Sequence, residues 1–120
     1  MATQAEEFRA LMDGMRAEYR ADLPAKLRTL TLLWQGLDGA QAEPAATRLE
    51  ELRRLAHTLA GSATTFGLPE VTEAARELEQ AFVAVMEDPS ALGTGTPGGA
   101  ALRARVVAAL DALHHAGGRD

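Results

Sequence analysis

Apolar positions along the chain recur at three- and four-residue intervals and nowhere alternate, so the pattern predicts helices and no strands. Phe8, Leu11, Met12, Met15 and Tyr19 form a first stripe, with Glu6, Glu7, Arg9 and Arg16 elsewhere on the wheel, predicting a helix over residues 4–20. Asp22 then offers an N-cap and Pro24 a first-turn proline for a second helix. In it Leu23, Leu27, Leu30, Leu33, Trp34 and Leu37 run to glycine stops at Gly36 and Gly39. After a polar link at 39–43, Pro44 opens a third helix lined by Leu49, Leu52, Leu55, Ala56, Leu59, Ala63 and Phe66 and ended by Gly67. Pro69 opens a fourth, whose Val71, Ala74, Ala75, Leu78, Phe82, Val85 and Met86 form a buried stripe until Asp88 and Pro89. A Pro/Gly/Ser/Thr loop at 88–99 leads to a last helix carrying Leu102, Val106, Ala109, Leu110 and Leu113, with Gly117 and Gly118 as a flexible tail. Helices with one apolar face each, joined by mostly short links, are satisfied by an all-α antiparallel up-and-down four-helix bundle, here with an additional N-terminal helix.

Length and composition narrow the picture further. The 120 residues fit one domain, residues 1–120, large enough for a core without disulfides or metals. With three Phe, one Tyr and one Trp, that core is built from Leu, Ala, Val and Met, which favours helices. Cysteine is absent, which removes disulfides, thiolate zinc sites and cysteine nucleophiles together. A formal charge of −5, with no basic run, argues against nucleic acid or an anionic membrane as partner and leaves proteins. No apolar run reaches the length of a membrane span, and the expected location is the cytoplasm.

The chemistry concentrates on the third helix. At about 100° per residue, His57 falls roughly 140° from the apolar centre at Leu52, so its ring is expected in solvent. Arg53 and Arg54 lie one turn earlier, Ala60 and Gly61 one turn later, Glu50 and Thr64 two turns away. A mid-helix glycine costs about 1 kcal/mol relative to alanine. At Gly61, beside Ala60, it would remove bulk from one flank of the imidazole and let another protein approach. Imidazole is substantially neutral near pH 7 and has a ring nitrogen able to attack phosphorus. Arg53 or Arg54 could contact phosphoryl oxygens, or either could be a solvated surface arginine.

Ala56-His57-Thr58-Leu59-Ala60-Gly61-Ser62-Ala63, followed by Phe66-Gly67-Leu68 and by Ala75, Leu78 and Glu79, resembles the signature of the histidine phosphotransfer (HPt) domain family over roughly residues 50–80. The resemblance implies a phosphorelay component of two-component signalling. The residue matching His57 would accept a phosphoryl group from a receiver aspartate or a kinase and pass it to a receiver aspartate, and the residue matching Gly61 would permit receiver approach. The implied partners are a response-regulator receiver domain and/or a histidine kinase, and any magnesium would belong to the receiver. The chain departs from the family at Ala60, where a lysine is usual.

The remaining motifs carry less. His114 and His115 are adjacent, on diverging faces, and lack the i, i+4 spacing of a helical metal site. Gly93-Thr94-Gly95-Thr96-Pro97-Gly98 matches G-x-G-x-x-G without the strand that a dinucleotide site requires. Ser62 and Thr64 have no orienting acid or oxyanion hole for a hydrolase. Trp34 and the methionines sit at core spacing. The expectation is therefore a monomeric phosphocarrier without kinase activity, bound metal or cofactor. The alternative is an HPt-like adaptor that binds a receiver or kinase without carrying phosphate.

Overall fold

The stripe that begins at Phe8 does not stop at Asp22. Met15, Tyr19, Leu23 and Leu27 follow one another every fourth residue, so a single straight helix keeps them on one face. The computed structural model, which describes residues 2–37, 42–88 and 97–118, has one helix here, α1 (Gln4–Gln35), with Pro24 inside it. The separate N-terminal helix expected from the Asp22–Pro24 signal is thus corrected to the first part of α1. An interior proline lacks the N–H for the carbonyl four residues back and costs about 3 kcal/mol. Burial of Leu23, Leu27 and Leu30, at about 2 kcal/mol each, outweighs that cost and keeps the helix continuous. Thr3 caps the start, its hydroxyl accepting from the Glu6 N–H at 3.1 Å, and Glu6 and Glu7 complement the positive end of the helix dipole.

Three further helices follow: α2 (Ala42–Thr65), α3 (Pro69–Glu87) and α4 (Pro97–Gly117). Of the expected 39–43 link, residues 39–41 lie outside the described residues and 42–43 already belong to α2. Most of the 88–99 loop, including residues 93–96 of the glycine string, also lies outside them, whereas Pro97, Gly98 and Gly99 open α4.

Cross-helix contacts fix the directions. Arg16 Nε donates to the Phe66 carbonyl at 2.7 Å and the Tyr19 hydroxyl pairs with Ser62 Oγ at 2.7 Å, so α1 and α2 run antiparallel. The same holds for α2 and α3, where His57 meets Glu79 and Thr64 meets Thr72, and for α1 and α4, where Thr31 meets His114 and Leu27 meets Gly117. This is the up-and-down bundle, with Phe82, Leu23, Leu27, Leu52, Leu78 and Leu113 fully buried at its centre. Trp34 packs on Phe82 with ring centroids 5.9 Å apart.

Three packing expectations change. With Arg16 level with Phe66 at the end of α2, the turns of α1 before it overshoot the bundle. Phe8 and Leu11 are consequently 64% and 60% exposed, Met15 is exposed too, and only Tyr19 of the first stripe is buried. Leu55 is exposed at the edge of a groove shared with Lys26, Thr29 and Thr58. Gly117 is not a loose tail residue but buried, and a Cβ there would stand 2.8 Å from Leu27 Cδ1.

The α2–α3 turn positions the site. Gly67 has φ of +69°, in the left-handed region that favours glycine. The Leu68 N–H donates to the Ala63 carbonyl at 2.9 Å and the Gly67 N–H to the Thr64 carbonyl at 3.1 Å, a Schellman ending. Buried Leu68 then anchors the start of α3, with Pro69 in its first turn.

Candidate functional site

His57 stands on the outer face of α2 with its side chain 70% exposed. Its Nδ1 lies 3.0 Å from Glu79 Oε2 on α3. An ionised carboxylate has only acceptors, so Nδ1 carries the proton and donates. In the neutral ring, Nε2 is then left with an unprotonated lone pair. The carboxylate thus selects the tautomer and aims the other nitrogen outward.

Glu79 is itself held. Arg53 Nη1 donates to the same Oε2 at 3.3 Å, while Arg53 Nε and Nη2 grip Glu50 at 2.9 and 2.6 Å. That bidentate bond lowers the Glu50 carboxyl below its ordinary range and raises the Arg53 guanidinium above its own. Arg53 is therefore committed to two carboxylates and braces Glu79 rather than reaching out. Arg54, 73% exposed and 3.8 Å from Glu50 Oε1, is the more available of the two arginines.

The small residues after His57 divide. Gly61 is exposed, and a Cβ added there would meet nothing within 4 Å, so nothing in the fold's own packing requires glycine. Ala60 is only 5% exposed and belongs to the core beside α3, which corrects the expectation that it flanks the imidazole on the open surface. Thr64 uses its hydroxyl internally, donating to the Ala60 carbonyl at 2.9 Å and pairing with Thr72 at 3.2 Å. Beneath the site, Tyr19 ties α1 to α2 through Ser62; its phenol is pushed up by burial, partly opposed by that hydrogen bond.

In the sequence Glu79 stands out only as a member of the motif string. The signal was present: His57 and Glu79 are equidistant from Leu68, so a tight antiparallel hairpin pivoting there must bring them level.

Fold and site together define a class, a small helical bundle that presents an exposed histidine backed by a carboxylate. The chain belongs to the Hpt domain family, whose family model matches residues 14–116. No curated protein and no solved structure matches it. At the family level this means histidine phosphotransfer in two-component signalling, in which Hpt domains interact with receiver domains or kinases. Among the described residues, no helix is long and apolar enough to cross a membrane.

Proposed function

We propose that His57 is the phosphoacceptor, taking a phosphoryl group from a receiver aspartate or a kinase and passing it to a receiver aspartate. The observation that carries this reading is the Nδ1–Glu79 hydrogen bond on an exposed ring. The Nε2 lone pair attacks phosphorus, the N–P bond forms, and the bond from phosphorus to the aspartyl oxygen breaks, returning a carboxylate. No proton need leave: the ring acquires positive charge with Nδ1–H still in place, and Glu79 offsets that charge at 3.0 Å. Transfer onward is the same step reversed on a second receiver. The chain is a monomeric carrier, not a kinase, and the phosphoryl group comes from its partner.

Incubation with a phosphorylated receiver, or with kinase, receiver and ATP, tests the reading. Acid-labile, alkali-stable label on the wild-type chain, lost in His57→Gln, is the expected result. Alanine at position 60, where the family usually has lysine, favours one second reading, an adaptor that binds without carrying phosphate. Stable receiver binding with no label would establish the adaptor and end the relay reading.

A further inference from the structure

We propose that Arg76, on α3, is the cation that receives the phosphoryl group on His57; this rests on His57 being the acceptor. Two rungs define the α2–α3 register: His57 with Glu79 at 3.0 Å and Thr64 with Thr72 at 3.2 Å. Ala60 lies three residues after the first rung and four before the second, and Arg76 occupies the mirror position on α3. Arg76 is therefore level with Ala60, one helical turn from Glu79, a spacing at which Cβ atoms are about 5–6 Å apart.

Charge at the site creates the need. Glu50 and Glu79 already face Arg53 and Arg54, two carboxylates against two guanidiniums. A phosphoryl group arriving on Nε2 carries about two negative charges, of which the ring's new positive charge offsets only about one, so this balanced set becomes net negative. Arg53 has its donors on Glu50 and Glu79. Arg76 is exposed and has no hydrogen bond or ion pair among the described residues. Glu73, one turn before it, lines the same shallow groove as Thr64, Thr72 and Arg76 without pairing with it.

The path is open as well. The Ala60 methyl is buried and Gly61 has no side chain, so α2 itself places no bulk on its outer face in the turn after the imidazole. A guanidinium swinging across this gap can offer paired N–H donors to phosphoryl oxygens, the geometry for which arginine is suited. Sequence position hides the pair, since Ala60 and Arg76 lie sixteen positions apart, and only the tight turn at Gly67 brings them level.

The test loads the full chain with phosphoramidate, a small donor that needs no docking partner, and follows phosphohistidine by 31P NMR. Arg76→Ala is expected to slow loading about tenfold, the scale of one charge-assisted hydrogen bond, and to move the phosphohistidine resonance. Arg76→Lys should recover most of the rate, while helicity and thermal midpoint stay at wild-type values in both. A purely structural or docking role for Arg76 would leave this partner-free rate and resonance unchanged, and that result overturns the proposal. If the wild-type chain takes no label from phosphoramidate or from a phosphorylated receiver, the acceptor reading falls and Arg76 with it. Wild-type loading matched by Arg76→Ala removes Arg76 alone.

Discussion

Two histidines on opposite sides of the bundle show what makes an imidazole available for chemistry. His57 on α2 is exposed and uses Nδ1 to hold a carboxylate, which leaves Nε2 facing solvent. His114 on α4 is half-buried between α1 and α4 and spends its Nε2 on the Thr31 hydroxyl at 2.8 Å. Residue type is the same in both, so the difference lies in which nitrogen is engaged and by what. A ring whose Nε2 is already bonded inside the fold fastens two helices; a ring bonded through Nδ1 to a carboxylate is oriented and still free to react.

The sharpest way to break this contrast is to replace each histidine in turn. His57→Gln should abolish phosphoryl labelling, while His114→Gln should keep it and lower the thermal midpoint modestly through loss of one hydrogen bond, about 1 kcal/mol. Label surviving in the first and vanishing in the second would reverse the assignment. Next in size is the carboxylate that distinguishes the two rings: Glu79→Ala should slow transfer to His57 about tenfold, the scale of a hydrogen bond to a charged group. Glu79→Gln, whose amide oxygen still accepts from Nδ1, should fall between that variant and wild type. An unaltered rate in Glu79→Ala would mean that the tautomer is set some other way.

Smaller effects separate the glycines near the two sites. Gly117→Ala should destabilise the fold by about 1 kcal/mol through overpacking, because its Cβ would press on buried Leu27. Gly61→Ala should instead stabilise it by about 0.5–1 kcal/mol, since space is open there, and yet slow transfer from a receiver. Denaturant melts of both, paired with a receiver transfer assay of the second, read these opposite signs. Smallest of all, Phe8→Ala should change stability by under about 0.5 kcal/mol, because that turn of α1 overshoots the bundle.

Much of this was legible from residue spacing. The exposed face of α2, the core leucines and the ends of α2 and α3 follow from periodicity, Gly67 and Pro69, because those signals are local. Pro24 misled for a physical reason: a local break signal competed with a continuous stripe through Tyr19, Leu23 and Leu27, and tertiary burial won. Exposure of Phe8 and Leu11 could not be read from amphipathicity, since a stripe states which face is apolar and not whether a partner helix extends that far. Glu79 and Arg76 were invisible on a single wheel, their relation to His57 lying in the register between helices. Arg53, which a single wheel leaves as either a phosphoryl contact or a solvated arginine, braces Glu50 and Glu79 for the same reason.

The most direct test of the central claim is the nitrogen that bears the phosphoryl group. In a chain carrying 15N-histidine, treated with a phosphorylated receiver, imidazole NMR should show His57 phosphorylated at Nε2 with Nδ1 still protonated, and His114 unmodified. A phosphoryl group on Nδ1, or on no histidine at all while the receiver still binds, would contradict the account.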